Sequence, residues 1–454
     1  MSFNAKQTLV RALSRAPLYR AMPPGAVRTY AALKYLSENS NQDEITQYII
    51  SSGGIPTRHL STALVAARAV FRAGADDVLT DTLDELDQRF PESPELAAIH
   101  ADFHAYHGRY DEAFAFARKG RILQPSHAGS VARMVTYGYR ILPRDEADEI
   151  AVTAAARFPR NGEVQWACAK LCDSSEQFHR LRKGWEALQL EEEDLLKVVR
   201  QHATAAARAG EIASAIDLYR RAIRLLMGGA KLAAPIPEPK LEGKSAWSAF
   251  EDLHEALDGA GVPYFIAAGT ALGLTREGRP LSSDNDIDVG VLEDDFDQPA
   301  LEELFAKHPR FDFDVVHPHT KKVGLRHRGG SPIDIFRFYR DGEKIYHDAV
   351  FVRWGNSPFD VERREINGLK LPLPADADKY LTENYGDWRT PNSNFDAFIG
   401  SDAPNVETTW PEYLNLHYVR RAYKKLSRGE YQAAAAELRN ADEHQLSAIV
   451  HPQP

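Results

Sequence analysis

The sequence of 454 residues predicts an α-helical solenoid followed by an α/β domain. In the first half, prolines and glycines recur every 34 positions, as they do in arrays of helical hairpins. Three prolines between Pro235 and Pro239 then exclude a continuous helix. Beyond them, short apolar runs typical of buried strands alternate with helical segments. We therefore expect a basic N-terminal helical segment (1–39), helical repeats (40–227), a linker (228–244), the α/β domain (245–400) and a C-terminal helical segment (401–454).

The composition is that of an ordinary globular chain, with 43% hydrophobic and 26% charged residues. A net charge of −10 argues against a nucleic-acid binder. The two cysteines, Cys168 and Cys172, are too few for a disulfide scaffold or a four-cysteine zinc site, so we expect two buried structural residues. No apolar run reaches the roughly 20 residues that span a bilayer, and no secretory signal follows Met1. These features predict a cytoplasmic protein.

The N-terminal segment departs from the acidic average. Residues 1–34 contain six basic side chains and no acidic ones, and Leu9, Leu13 and Leu18 could share one face of a helix. This segment either touches an anionic membrane surface from one side, or it is an ordinary basic helix packed on the array or a loose terminus. The sequence leaves both alternatives open, so the predicted location is cytoplasmic with optional peripheral membrane contact.

The repeat signal rests on prolines and glycines at constant spacing. Pro91, Pro125 and Pro159 lie 34 residues apart, and so do Gly74 and Gly108. A glycine permits the tight turn between two helices, and a proline ends the second helix. The pattern resembles the tetratricopeptide repeat. Such arrays either bind a protein partner on a concave face or act as rigid supports or dimerisation surfaces, and the sequence does not decide between these roles.

The pattern of apolar residues changes after the linker, where the α/β domain begins. Apolar residues at helical spacing predict a helix over 245–258. The run 264–268 is bounded by proline and glycine and predicts a buried strand, after which Gly269-Thr270 opens a short helix. The runs 287–291 and 333–338 predict two more strands.

Four aspartates carry the most specific chemical signal. Side chains alternate across a strand, so Asp284, Asp286 and Asp288 would share one face if that segment is extended. Asp334 stands alone in a second apolar run, where an unpaired charge is costly. Oxygen-only ligands suit Mg²⁺ or Mn²⁺, and we prefer a metal site over a solvated acidic turn. His317, His319, His327 and His347 have no metal-binding spacing and are assigned no metal.

Several motifs together resemble the LicD/fukutin family, whose domain has the nucleotidyltransferase fold. The motifs, in the family's order, are Gly269–Gly278, Asp284–Gly290, Asn367–Pro374 and Tyr385–Pro391. The resemblance implies transfer of a phosphorylated group, such as phosphocholine or a phospho-alditol, from a CDP-activated donor to a glycan hydroxyl in cell-surface polysaccharide or glycoconjugate modification. Ser283 stands where the family often has an aromatic residue, which leaves the donor pocket less well defined than the metal site.

The resemblance also implies roles for individual residues. Asp286 and Asp288 would hold the catalytic metal, and Asp334 would complete the site and accept the proton of the attacking hydroxyl. Asp284 would act from behind these ligands. The donor phosphates would be contacted by Gly269, Thr270 and Arg276.

Further candidates come from the basic and aromatic residues around the acidic strands. Phosphoryl transfer needs cations near its acidic face, and a dense basic cluster lies just before the Asp334 strand. We take Lys322, Arg326 and Arg337 as candidate phosphate or nucleotide contacts, the alternative being a solvated loop. Tyr385 and Trp388 either wall a substrate pocket or belong to the core.

Three functions are therefore weighed. The first is the metal-dependent phosphotransferase described above, acting on a nucleotide-activated donor and a glycan acceptor. The second is a nucleotidyltransferase that attaches NMP to a protein or small molecule. The third is a non-catalytic repeat scaffold with a degenerate transferase domain, against which the intact set of aspartates argues.

Overall fold

A computed structural model describes residues 18–23, 25–39, 42–187, 192–230, 232, 241, 243–281, 284–392 and 394–450. The first seventeen residues of the basic N-terminal segment, for which membrane contact was one alternative, and most of the predicted linker lie outside these residues. Within them, no helix combines the length and apolar character that a membrane crossing needs. The order is a helical region followed by a domain built on a mixed sheet, as the sequence predicts.

The helical region begins with a 3-10 turn, Leu18–Ala21, and continues through twelve α-helices among the described residues. They are α1 (Ala26–Asn39), α2 (Gln42–Ser51), α3 (Leu60–Ala73), α4 (Asp76–Arg89), α5 (Pro94–Ala105), α6 (Tyr110–Leu123), α7 (Ala128–Ile141), α8 (Arg144–Arg157), α9 (Gly162–Leu171), α10 (Ser175–Ala187), α11 (Glu192–Arg208) and α12 (Ile212–Met227). Four of them begin at Leu60, Pro94, Ala128 and Gly162, a constant interval of 34 residues. We call α1–α12 the helical array.

Local sequence explains where the array's helices begin and end. The Ser93 hydroxyl accepts a hydrogen bond from the Leu96 N–H at the start of α5, with Pro94 in the first turn. α3 ends at Gly74, whose φ of 70° few other residues adopt. Cys168 and Cys172 are buried free thiols, in agreement with the structural role that was predicted.

The α/β domain and the C-terminal segment follow the array. The helices are α13 (Gly243–Gly259), α14 (Ala268–Glu277), α15 (Gln298–Ala306), α16 (Ala377–Tyr385), α17 (Pro411–Leu426), α18 (Tyr431–Asn440) and α19 (His444–Ile449). The strands are β1 (Phe265–Ile266), β2 (Ile287–Leu292), β3 (Phe311–Phe313), β4 (Lys322–His327), β5 (Pro332–Asp341), β6 (Lys344–Asp348), β7 (Val352–Asn356), β8 (Val361–Ile366), β9 (Leu369–Pro374) and β10 (Val406–Thr408).

One sheet organises the domain, with β5 at its centre. The strand order along its main path is β1-β2-β5-β6-β7-β10. β4 pairs with the first part of β5 and β6 with its last part, both on the edge opposite β2, and β3 pairs with β4. β2 and β5 are parallel, whereas the other pairs are antiparallel. β8 and β9 form a separate hairpin. The basic cluster at 321–328, for which a solvated loop was the alternative, contributes strand β4 instead.

The array contacts an extended segment of the α/β domain. Residues 310–316, which we call the docking segment, lie along the array, and residues of α6, α7, α9 and α11 contact this segment in chain order. The pairs are the Tyr110 hydroxyl with Asp312 Oδ1 (2.8 Å), Arg140 with the Phe313 carbonyl (2.9 Å), Lys170 with Asp314 Oδ1 (2.8 Å) and Arg208 with the Val316 carbonyl (3.0 Å). Part of the surface of the array is thus occupied by the chain itself.

The glycines that mark the repeats lie at the same contact. A Cβ on Gly74 would meet Arg310 Nη1 at 1.7 Å, and one on Gly108 would meet the Ala306 carbonyl oxygen at 2.8 Å. Arg310 also donates to the Ala73 carbonyl oxygen at 2.7 Å. These glycines therefore serve both the turn between helices and the close approach of the α/β domain.

The turn between β4 and β5 enters the array. The Arg328 side chain is fully buried over the ring of Phe71, 4.5 Å from its centroid, and donates to both oxygens of Asp76 on α4 at 2.7 and 3.0 Å. A buried guanidinium needs such a bidentate partner, so this turn holds the domain firmly on the array.

The C-terminal helices return to the array. Tyr423 of α17 packs on Tyr219 of α12 with ring centroids 5.4 Å apart, and Arg220 donates from Nε to Glu443 at 2.8 Å. A single apolar core runs from the second half of the array through α17–α19 and includes Phe351 and Trp354 of the sheet domain. The α/β domain therefore lies between two helical parts that share one core.

Candidate active site

Three carboxylates meet where β2 and β5 run side by side. Asp288 stands directly opposite Asp334 in the parallel register, and Asp286 directly precedes β2. One oxygen from each of these three side chains lies within 4.8 Å of the others. The structure thus brings together the residues that the sequence proposed as metal ligands.

Thr270 fixes the position of Asp288. It lies in the first turn of α14 with 1% of its surface exposed, and its hydroxyl oxygen accepts the Asp288 N–H at 2.8 Å. The hydrogen bond ties the helix after β1 to the strand that carries the carboxylate. The sequence suggested Thr270 only as a phosphate contact and not in this supporting role.

The carboxylates strongly favour a positive partner. Burial, together with the charges of Asp334 and Asp284, raises the pKa of Asp286 to about 7. Burial and the charges of the other three aspartates, first of all Asp286, raise the pKa of Asp288 well above its usual range. Lys322 forms an ion pair with Asp334 and partly offsets this repulsion. A divalent cation among the three oxygens would remove the cost of burying like charges, so the donor set fits Mg²⁺ or Mn²⁺.

Asp284 lies beside the cluster, over the first turn of α14. Its Oδ2 is buried with no hydrogen-bond partner in the described part of the chain, and burial raises its pKa to about 6. A Cβ on Gly269 would lie 2.5 Å from that oxygen, so only glycine permits the helix to pass this close. Ala268 before it has a φ of 45°, rare for alanine, and donates its N–H to the Tyr380 hydroxyl at 3.1 Å.

A cleft of about 1470 Å³ opens over the carboxylates. Typical small-molecule pockets have volumes of roughly 300–1000 Å³, so it has room for more than one substrate. Gly269, Arg276, Lys322 and Arg326, which were predicted to contact the donor, all line it. Arg276 also donates to the Trp388 carbonyl at 3.1 Å, and Arg326 pairs with Asp314 of the docking segment.

Arg337 is not brought to the cluster. It is an odd number of positions from Asp334 on β5, so its side chain leaves the opposite face of the strand, where it pairs with Glu293 at 2.8 Å. The structure thus separates this candidate phosphate contact from the cleft.

The two aromatic candidates line the cleft and also pack in the domain. Tyr385 stands near the carboxylates with its ring 5.0 Å from that of Phe395, and burial raises its pKa well above the usual range. Trp388 is 9% exposed, belongs to the apolar core of the domain and donates from its indole nitrogen to Asp378 at 3.0 Å. Both predicted alternatives, pocket wall and core residue, therefore apply to Trp388.

Other lining residues escaped the sequence reasoning. Arg208 comes from the array, Arg420 from α17, and His317 and His347 from the sheet domain. The two arginines are separated from the aspartates by long stretches of chain, and no spacing rule links them. The histidines were excluded as metal ligands, and nothing in their neighbourhood along the chain marks them as cleft residues.

Residues 261–376 match the family model described as LicD/FKTN/FKRP, nucleotidyltransferase domain. They include α14, β2 and β5, the three elements that position Gly269 and the carboxylates. The matched part covers β1 to β9 but neither the array nor α17–α19.

Individual relatives agree with the match at low identity. The ribitol-5-phosphate transferase FKTN of Mus musculus is 25% identical over 182 residues, which are 36% of this chain and 38% of that protein. The human ribitol-5-phosphate transferase FKTN is 22% identical over 193 residues, 38% of this chain and 41% of that protein. An uncharacterized protein of Rickettsia prowazekii is 20% identical over 160 residues, 33% of this chain and 58% of that protein. The chain thus spans less than two thirds of each of these relatives.

Proposed function

We propose that this protein is a metal-dependent phosphotransferase that moves a phosphorylated group, of the phosphocholine or phospho-alditol type, from a CDP-activated donor to a glycan hydroxyl. The observation that carries the proposal is the meeting of Asp286, Asp288 and Asp334 at the floor of a large cleft. The family match supports the reaction class, and the names of the FKTN relatives support an alditol phosphate as the group transferred.

The residues have distinct tasks in this proposal. Asp286, Asp288 and Asp334 would hold Mg²⁺ or Mn²⁺, which when bound neutralises the donor phosphates and stabilises the departing CMP. The N-terminal turn of α14 at Gly269 presents backbone N–H groups, and Arg276 adds a cation on the same side. Lys322 already touches Asp334 and can reach a phosphate placed beside it.

The transfer balances without a covalent enzyme intermediate. The acceptor oxygen forms a bond to phosphorus while the bond from phosphorus to the CMP oxygen breaks, and the acceptor's proton passes to the Asp334 carboxylate. Catalysis then rests on positioning and charge neutralisation, which is the usual basis of phosphoryl transfer.

The decisive experiment measures CMP release from CDP-ribitol with Mg²⁺ and a mixture of neutral and acidic oligosaccharides. We expect Asp286→Asn to lower the rate by roughly a hundredfold or more, because it removes a metal ligand at a partly exposed position. Asp295→Asn, an exposed acid after β2, is the matched control and should keep the native rate. Chelation of the metal should stop the native enzyme.

Two results would overturn the proposal. Native CMP release in Asp286→Asn, with melting unchanged, would remove the carboxylates from the reaction. Incorporation of label from α-labelled CTP or ATP into a product, without CMP release from the CDP-linked donor, would instead establish NMP transfer.

A further inference from the structure

The carboxylates stand between two groups of residues that line the cleft. On one side are α14 and α16 with Gly269, Arg276 and Tyr385, next to β1 and β2. On the other side the cleft continues past β5 over His347 of β6 and Trp354 of β7. We call this second part the helical side, because it ends against the array and α17.

The helical side is built partly from parts of the chain outside the family match. Arg208 closes it from the array, and Tyr413 and Arg420 close it from α17. Phe398 joins them from the loop before β10, with its ring 5.4 Å from Phe351. A transferase with two substrates needs one binding site on each side of the reacting phosphorus. The first side contains the N-terminal turn of α14, which the proposed function assigns to the donor phosphates.

Two imidazole nitrogens on the helical side have no hydrogen-bond partner among the described residues. His347 is 3% exposed, and its Nδ1 has no hydrogen-bond partner within the described residues. The same holds for Nε2 of His317, whose ring lies 6.0 Å from that of Tyr413. Burial lowers the pKa of both histidines to about 3, so both rings are neutral and suited to hydroxyl groups.

Two arginines give this side its charge. Arg208 is buried and anchored by the Cys172 and Val316 carbonyls. Arg420 is exposed and donates to His417 Nδ1 at 3.0 Å. Asp402, an acidic residue that lines this side, accepts from the Ser401 hydroxyl and the Asp396 N–H within its own loop. An anionic group entering the helical side would therefore meet Arg420 at the surface.

We propose that the helical side binds the acceptor, and that this acceptor is a saccharide carrying an acidic group, phosphate or carboxylate, which Arg420 recognises. The proposal rests on the phosphotransferase function above for the word acceptor, but the binding site itself does not depend on it. Orphan imidazole nitrogens pair with hydroxyl groups, and the guanidinium pairs with the acidic group. The array and α17 thereby supply acceptor specificity to a transferase domain.

The test is binding of the full-length protein to immobilised oligosaccharides in three sets: neutral, uronic-acid-containing and phosphate-bearing. We expect binding to one or both acidic sets, and the set that binds identifies the acid. Arg420→Ala should weaken this binding roughly tenfold, and Arg420→Lys should retain part of it. Arg118→Ala, an exposed arginine of α6 away from the cleft, should bind as the native protein does.

A second measurement separates this proposal from the phosphotransferase function. Binding of CDP with Mg²⁺ should be the same in native protein and Arg420→Ala, and should be lost in Asp286→Asn. Absence of acidic saccharide binding, equal binding of neutral saccharides, or equal loss in Arg118→Ala would overturn the acceptor site. If the native protein does not bind CDP with Mg²⁺, the phosphotransferase function is overturned, whereas the result on saccharide binding remains valid.

Discussion

At the scale of single residues, the site depends on how Asp288 is held. Its carboxylate belongs to the cluster, and its backbone N–H is bonded to Thr270. Thr270 is not among the residues that line the cleft, so we expect its effect on the reaction to pass through Asp288. It is a positioning residue.

Replacing Thr270 by valine tests this role. Valine keeps the shape but leaves the buried Asp288 N–H without an acceptor, which costs about 1–3 kcal/mol of unfolding free energy. We expect a matching loss of stability in denaturant unfolding and a roughly tenfold higher Mg²⁺ requirement for CMP release. Thr270→Ser keeps the hydroxyl and should restore the native Mg²⁺ requirement. A native requirement in Thr270→Val would mean that Asp288 is held by other contacts.

The aspartates also show how far residue patterns reach. Alternation along β2 placed Asp286 and Asp288 on one face, and the apolar run around Asp334 marked it as unusual. Their meeting depends on the parallel pairing of β2 with β5, which two isolated strands do not specify. The same alternation rule separates Arg337 from Asp334, and it was available in the sequence. Arg208 and Arg420 reach the cleft only through tertiary packing, so no local rule could include them.

At the scale of elements, acidic residues hold the domain on the array. Burial alone would raise the pKa of Asp314, but the charges of Lys170 and Arg326 outweigh it and lower the pKa to about 2. Asp76 is in the same state, because hydrogen bonds from His107 and Arg328 outweigh burial and lower its pKa to about 2. The contacts of Asp314 with Lys170 and of Asp76 with Arg328 both join the α/β domain to the array.

The depressed pKa of Asp76 predicts a pH dependence of stability. The unfolded pKa is about 3.9, so the contribution of Asp76 is fully present above about pH 4 and is lost as pH falls toward 2. Asp76→Asn should lower the unfolding free energy by about 2–3 kcal/mol at pH 7, since it leaves Arg328 buried without its charged partner. The difference from native protein should shrink between about pH 4 and pH 2. Asp81→Asn, an exposed position on the same helix, should show no such pH-dependent difference.

Elements were predicted unevenly. The helix over 245–258, the strands at 287–291 and 333–338 and the period of 34 residues match α13, β2, β5 and the starts of the array's helices. The strands β3, β4 and β6–β10 were not predicted individually. Along β7, β8 and β9, for example, buried and exposed side chains do not alternate regularly, and pattern rules assume one buried face.

At the scale of the whole molecule, the two helical parts form one support around the α/β domain. Leu416, Val419 and Tyr423 of α17 are buried in the core that also contains α12 and Phe351 of the sheet domain. The predicted linker divides the chain in sequence, but this core contains residues from both sides of the linker.

Removing residues 411–454 tests this shared core. Each large apolar side chain contributes about 1.5–3 kcal/mol when buried, and the truncation uncovers the partners of several at once. We expect the shortened protein to melt well below the full chain or to aggregate, as followed by thermal unfolding and size-exclusion chromatography. Tyr423→Phe, which keeps the packing, should melt close to the native protein. A shortened chain with native melting would show that the array and the sheet domain are stable without α17–α19.

The docking segment has one more consequence. Helical repeat proteins commonly gain or lose units, because each repeat contacts only its neighbours. Here Arg140, Lys170 and Arg208 must meet Phe313, Asp314 and Val316 in turn. An additional hairpin anywhere between them would carry Arg208 away from Val316, and with it one wall of the cleft. The number of repeats is therefore tied to the shape of the cleft, and we expect that it cannot change without a matching change in the docking segment.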